Sequence, residues 1–193
     1  MRKQSLSLAI FTMLSGNLLF IGSKTALSVG YFENHFDDAI TFLPGTPGTY
    51  INLSEDPSKG WEVELRQDLS THWQLHSTFT HLTEKPETSF READNLASLM
   101  LNYHDSQWNM NVALEYTAER EMLTSSDTFR LKVDSYWLLR AKILYEIDSK
   151  WTLALEGKNL LNQDYETPPV STNLLQGIPN KRRYIELGIK YNF

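Results

Sequence analysis

The last ten residues, Tyr184 to Phe193, set Ile185, Leu187, Ile189, Tyr191 and Phe193 at alternate positions, with Glu186, Gly188, Lys190 and Asn192 between them. Successive side chains of a strand point to opposite faces, so this segment reads as a strand with one apolar and one polar face. Chain termini usually fray, so a strand patterned up to an aromatic carboxy-terminus narrows the possible architectures. Two remain. One is a membrane-spanning β-barrel, apolar toward lipid and polar toward its lumen. The other is the last strand of a soluble β-sandwich, which alternates in the same way.

The rest of the chain separates the two. Three short polar turns each lead into a tryptophan: Ser70-Thr71-His72-Trp73, Asp105-Ser106-Gln107-Trp108 and Asp148-Ser149-Lys150-Trp151. A recurrence at this interval marks a repeated supersecondary unit, here a hairpin pair with one tight turn and one longer loop. The flanking segments alternate. Trp108, Met110, Val112, Leu114 and Tyr116 oppose Asn109, Asn111, Ala113, Glu115 and Thr117, and Trp151, Leu153 and Leu155 oppose Thr152, Ala154 and Glu156. Before the first turn Trp61, Val63, Leu65 and Leu69 share a face that only Gln67 interrupts.

Trp73, Trp108 and Trp151 open outgoing strands, while Tyr103, Tyr145 and Tyr191 lie near the ends of incoming ones. Rings gathered at the turn-side ends form an aromatic girdle at a membrane interface. Tight turns on that side and longer stretches on the other (residues 85–94, 121–134 and 166–181) give the asymmetry of periplasmic turns and extracellular loops. The expected fold is therefore all-β: antiparallel transmembrane barrel strands, about eight, over 25–42, 49–69, 72–84, 95–104, 107–120, 133–147, 150–165 and 182–193. Asp56-Pro57-Ser58-Lys59-Gly60 is expected to bend the second of these.

The first 23 residues read differently. Arg2 and Lys3 precede an uncharged run from Leu6 to Ile21, followed by Gly22-Ser23. The pattern resembles a secretory signal peptide, and the run is short for a membrane-spanning helix. A further strand is the competing reading, since Leu6, Leu8 and Ile10 alternate with Ser5, Ser7 and Ala9. Residues 24–193 form the barrel region. With no cysteine, disulfides and thiolate metal sites are excluded. The net charge of −6 is spread along the chain, which excludes the clustered basic face that nucleic acid requires.

Three segments carry a resemblance: Tyr31 to Ile40, Asn52 to Leu65, and Lys158-Asn159-Leu160-Leu161-Asn162-Gln163-Asp164-Tyr165-Glu166-Thr167-Pro168 followed by Gly177 to Tyr184 and the terminal strand. In order and spacing they resemble the carboxy-terminal strands of TonB-dependent outer-membrane receptors of the siderophore-receptor type. The resemblance implies ferric-siderophore uptake across the outer membrane of a Gram-negative bacterium, with extracellular loops binding the ligand and with no enzymatic activity. It leaves no room in this chain for a plug domain or for the other strands of a barrel of about 22. The implied partners are outer-membrane lipid, the barrel assembly machinery, a ferric chelate, and the missing strands or plug. The alternative is a complete eight-stranded barrel with a structural or adhesive role.

Candidate residues follow from position. Asp164, Tyr165, Arg182 and Arg183, with Tyr184, sit on the loops that a ligand meets. Leu187, Ile189, Tyr191 and Phe193 are the expected assembly signal, and Trp73, Trp108, Trp151, Tyr103 and Tyr145 the girdle. The resemblance makes Asn159, Leu160, Asn162 and Tyr165 structural. The histidines, His35, His72, His76, His81 and His104, show no i, i+2 pair on a strand. No catalytic residue, metal site or cofactor is expected.

Overall fold

The computed structural model describes residues 12–21, 24–43, 49–86, 89, 91–123, 130–169 and 176–193. Among these residues the strands are, in chain order, β1 (Thr12–Ile21), β2 (Thr25–Leu43), β3 (Thr49–Asp68), β4 (Trp73–Glu84), β5 (Asn95–His104), β6 (Trp108–Thr117), β7 (Arg120–Leu123), β8 (Arg130–Val133), β9 (Tyr136–Glu146), β10 (Trp151–Lys158), β11 (Glu166–Thr167), β12 (Ile178–Pro179) and β13 (Tyr184–Tyr191). Nine of them form one antiparallel sheet in the order β1-β2-β3-β4-β5-β6-β9-β10-β13. The pairs β7–β8 and β11–β12 are separate hairpins within the long loops.

All eight expected strands are present, and Thr12–Ile21 adds a ninth. Arg2-Lys3, the run from Leu6 to Phe11 and Gly22-Ser23 lie outside the described residues. The sheet is open. Among the described residues β1 pairs with β2 alone and β13 with β10 alone. A closed eight-stranded barrel would join β2 to β13, and that edge of β2 is taken by β1.

The alternation read from the sequence decides the two faces. Across the middle strands Phe79, Leu99, Val112 and Leu155 project outward and remain 42–46% exposed. The opposite face carries Glu64, Arg66, His76, Asn102, Asn111, Glu115 and Arg140, joined by polar contacts across the strands: His76 to Glu64 at 3.0 Å, and Asn111 donating to Asn102 at 2.5 Å. Gln67, a polar residue on the outer face, is matched across the strand by Thr25, whose hydroxyl donates to its Oε1 at 2.5 Å. A polar group there is tolerated because its partner sits on the same face.

β2 and β3, at 19 and 20 residues, exceed the ~9–11 residues that a tilted strand needs to cross a bilayer. Their register slips between Asn34 and Phe36 and again before Ala39, beside Pro57, and the β3–β4 register slips between Lys59 and Gly60. The slips at Asn34/Phe36 and at Lys59/Gly60 fall on the segment expected to bend, and the one before Ala39 lies opposite Glu55 to Leu53, just ahead of it. Gly60 has a second reason to be glycine. A Cβ there would fall against the His81 carbonyl oxygen and within 2.7 Å of Phe32 Cζ.

The segment from Trp151 was expected to remain extended to residue 165 but stops at Lys158. Asn159 and Asn162 adopt positive φ of 49° and 53°, conformations that asparagine visits at little cost and that end a strand. Likewise β6 ends at Thr117 and β9 begins at Tyr136, because the intervening chain folds into β7–β8.

Candidate ligand-binding site at the long-loop end

The three tight turns share one construction. The Asp105 carboxylate oxygen accepts N–H bonds from Gln107 and Trp108 at 2.8 and 2.7 Å, and Asp148 accepts from Lys150 and Trp151 at 2.8 and 2.9 Å. Ser70 Oγ does the same for His72 and Trp73, more weakly, at 3.2 and 3.1 Å. A short polar side chain that mimics a backbone turn is why Ser or Asp sits three residues before each tryptophan. Asp105 also accepts the Tyr103 hydroxyl at 2.6 Å. That bond first, then the two N–H donors, pushes its carboxyl down to about 2.

Each turn tryptophan meets the tyrosine of the next incoming strand on the outer face. Ring centroids are 4.8 Å apart for Trp73–Tyr103, 4.4 Å for Trp108–Tyr145 and 4.6 Å for Trp151–Tyr191. At the opposite end of the outer face Tyr31–Trp61 and Tyr116–Trp137 pair at 5.1 and 4.7 Å. Sequence reading missed this second level. Its signal was the return of Tyr116 and Trp137 to the outward parity one strand length from the first level.

The long-loop end of the inner face is organised around Asn159, which is 4% exposed. Its Nδ2 donates to the carbonyls of Gln163 (2.8 Å) and Lys181 (3.2 Å), and its Oδ1 accepts the Gln163 N–H at 2.9 Å. Leu160 N donates to the Leu139 carbonyl at 2.9 Å, docking the turn on β9. Asn162 Oδ1 accepts the Arg183 N–H at 3.2 Å, and Asn180 N donates to the Tyr165 carbonyl at 3.0 Å. The outgoing and returning limbs of this loop are thus tied together by side chain to backbone bonds.

This tying gathers the candidate residues. Asp164 and Arg182 form a two-pronged ion pair at 2.7 and 2.9 Å, about 70% exposed on each side. Tyr165 packs against Tyr136 with ring centroids 4.5 Å apart and the planes tilted by 41°. Arg183 is held through its backbone. Behind them opens a cavity of about 650 Å³, lined by Glu115, Arg140, Lys158, Lys181, Arg182, Tyr165 and Tyr184, among others. Arg140 pairs with Glu115, Lys158 with Glu156 at 2.8 Å, and the Tyr184 hydroxyl donates to Glu186 at 2.7 Å. A neighbouring cleft of about 620 Å³, lined by Asp164 among others, lies between the two loop hairpins and shares Tyr165, Asn180 and Arg182 with that cavity.

Arg120 joins the two loops, donating to the Glu166 carbonyl at 3.0 Å while its guanidinium lies 5.4 Å from the Tyr136 ring centroid. Arg120, Tyr136, Asn180 and Lys181 were not among the ligand-side candidates read from the sequence, because they converge only across loops. Lys132 on β8 is pushed up by its bond to Glu119 at 2.5 Å.

The other expected residues lie elsewhere. His76 faces inward and His81 outward, the latter 2.8 Å from Asn95 Oδ1, as their parity requires. Among the described residues no three of His, Cys, Asp or Glu converge. Leu187, Ile189, Tyr191 and Phe193 lie on or just beyond β13, with Leu187 and Ile189 at 73% and 66% exposure.

The family model described as "TonB dependent receptor-like, beta-barrel" matches residues 14–160. No curated protein matches the chain. Among solved structures, the siderophore receptor PirA from Acinetobacter baumannii superposes with a TM-score of 0.74 at 14% identity, over 93% of this chain and 31% of that one. The copper transporter OprC gives 0.72 at 17%, over 95% and 31%. The pyoverdine outer membrane receptor FpvA from Pseudomonas aeruginosa PAO1, bound to pyoverdine, gives 0.70 at 17%, over 94% and 29%. At these identities the likeness is one of fold. The chain spans less than a third of each of these structures.

Proposed function

The chain belongs to the family of TonB dependent receptor-like β-barrels, and from that premise we propose that it forms part of the wall of an outer-membrane receptor that takes up an anionic metal chelate of the ferric-siderophore type. The observation that carries this reading is the cavity at the long-loop end. Four bases, Arg140, Lys158, Lys181 and Arg182, line it against two acids, Glu115 and Glu186, with Tyr165 and Tyr184 beside them. Arginine forks and aromatic faces suit a planar, oxygen-rich anion. Ligand sites combine such convergent polar groups with a concave wall.

In this reading Arg182 exchanges Asp164 for the ligand, Arg140 supplies charge from the wall, and Tyr165 and Tyr184 provide stacking surface. The exposed apolar outer face meets lipid, and the two levels of paired rings lie at its interfaces. Its setting is the outer membrane of a Gram-negative bacterium. Its partners are outer-membrane lipid, the assembly machinery that reads the terminal strand, and the strands and plug that complete a receptor. Leu187, Ile189, Tyr191 and Phe193 are the residues that machinery would read.

The test is calorimetric titration of the detergent-solubilised chain with a ferric catecholate, a ferric hydroxamate and each chelator without iron. Saturable binding of a ferric chelate, weakened about tenfold or more in Arg182→Ala as a charged hydrogen bond is lost, is the expected result. No saturable binding of either ferric chelate, or equal affinity in the variant, would overturn it.

A further inference from the structure

The inner face changes character where it reaches the long loops. Strand pairing lays Thr80, Leu96, Thr117 and Tyr136 in one row across β4, β5, β6 and β9. The next row toward the turns is Thr78, Ser98, Glu115 and Leu138. Rows two residues apart on one face lie about 7 Å apart. The lower row carries the Thr78–Ser98 hydroxyl pair at 2.7 Å and the Glu115 carboxylate that meets Arg140. In the upper row Leu96, an apolar side chain on the inward parity, is 45% exposed.

Over the upper row opens a second cavity, of about 440 Å³ and mainly apolar lining, a size ordinary for a small-molecule site. The row forms its strand side, and Leu82 and Ala93 add apolar surface from the end of β4 and the loop after it. Its charged residues are Arg91, Glu92 and Arg120. The walls are tied in place. Leu82 N donates to the Asp94 carbonyl at 2.8 Å, Ala118 N to the Asn95 carbonyl at 3.0 Å, and Lys85 Nζ to the Glu92 carbonyl at 2.9 Å.

The two cavities adjoin. Glu115 and Leu138 line the charged one, while Thr117 and Tyr136, two residues away on the same strands, line the apolar one. Tyr165 of the first packs against Tyr136 of the second, with ring centroids 4.5 Å apart. We propose that the apolar cavity holds the tail of an amphiphilic metal chelate whose anionic head occupies the charged cavity, an inference that rests on the receptor reading and narrows its substrate to chelates bearing an acyl chain or a similar aliphatic group.

The division of chemistry between the cavities carries the choice of ligand. Four bases and two tyrosines of the first suit the chelating head. A wholly polar chelate would leave Leu82, Leu96 and the Tyr136 ring facing water, whereas a tail buries them together with its own methylenes. A second anionic group fits this cavity poorly. Glu92 is on its lining, and Arg120 already donates to the Glu166 carbonyl at 3.0 Å and lies 5.4 Å from the Tyr136 ring centroid. The rival occupant is a protein segment in the lumen, which would fill the cavity with or without a chelate and leave a tail no advantage.

The test titrates the full chain in micelles with two ferric hydroxamates that share one head, one octanoylated and the other acetylated. Leu96→Glu sets a carboxylate on the apolar floor, and Thr117→Trp fills the cavity from β6; neither residue lines the charged cavity. Octanoyl chains partition into micelles alike for every variant, so the readout is the ratio of octanoyl to acetyl affinity in each protein. That ratio should fall about tenfold or more in the variants as the tail loses its apolar site, while the affinity for the acetylated chelate is unchanged. A fall in either variant that still binds the acetylated chelate as wild type does supports the assignment. The same ratio in wild type and both variants would overturn it and leave the receptor reading standing. Saturable binding of neither chelate to wild type would overturn the receptor reading and this assignment with it.

Discussion

Replacing Asn159 isolates what holds the long-loop end together. Its amide makes three hydrogen bonds, to the Gln163 N–H, the Gln163 carbonyl and the Lys181 carbonyl, at a site 4% exposed with φ of 49°. Each bond contributes on the order of 1 kcal/mol net, so Asn159→Gly loses about 3 kcal/mol while keeping the left-handed conformation free of strain. Asn159→Ala adds roughly 1 kcal/mol for holding a Cβ in that conformation. The loss falls on the loop rather than on the nine-stranded sheet, because the bonds join residues 159–163 to the returning limb. Lys181, Arg182 and Arg183 lie on that limb, and trypsin cleavage there reports local opening. Where reclosing outpaces cleavage, the rate follows the opening equilibrium. At 1.4 kcal/mol per tenfold, cleavage after these residues should accelerate about 100-fold in Asn159→Gly and toward 1,000-fold in Asn159→Ala. Cleavage within threefold of wild type in both variants would refute the view of Asn159 as the tie. Gly restoring wild-type protection would show that only the backbone angle matters.

Gly60→Ala should be poorly tolerated, costing about 1–3 kcal/mol of overpacking, because its Cβ meets the His81 carbonyl and the Phe32 ring. Gly188→Ala, whose Cβ would lie 3.7 Å from Ala154 Cβ, should be neutral, and urea midpoints in micelles that rank the two the other way would contradict the packing. Leu153→Arg, on the outer face, should lose ~2–4 kcal/mol if it lies near the bilayer centre, while the inward Thr152→Arg is tolerated better. Equal insertion yields would undo the face assignment. The Asp105 carboxyl, held near 2 against an ordinary 3.8, adds stability that is present in full above pH 3.8 and is lost as pH falls toward 2. Unfolding midpoints measured from pH 5 to 2 should decline over that window, and less so in Asp105→Asn; identical profiles would remove the turn from the account.

The legible part of this protein is the part written in neighbouring residues. Strand alternation is local, so Trp108 to Thr117 and Trp151 to Glu156 could be assigned to faces before any contact was known. The turns were equally plain, because Ser70, Asp105 and Asp148 act on backbone groups only two and three residues away. Even Gln67, an apparent fault in the pattern, needed one partner, Thr25, on the adjoining strand. The end of β10 was misplaced because the apolar and polar residues continue past Lys158, whereas the positive φ of Asn159 and Asn162 is enforced by bonds to residues about twenty positions later.

The amino-acid sequence by itself determined that the chain is all-β, which residues point outward, and where the tight turns lie, since each depends on side-chain direction over a few residues. Tertiary structure decided the rest. It brought Arg140, Lys158, Lys181 and Arg182 to one cavity, joined the long loops through Arg120 and Glu166, and placed Thr12–Ile21 at the open edge of β2. Those outcomes depend on pairing between distant segments, whose register and direction no local pattern records.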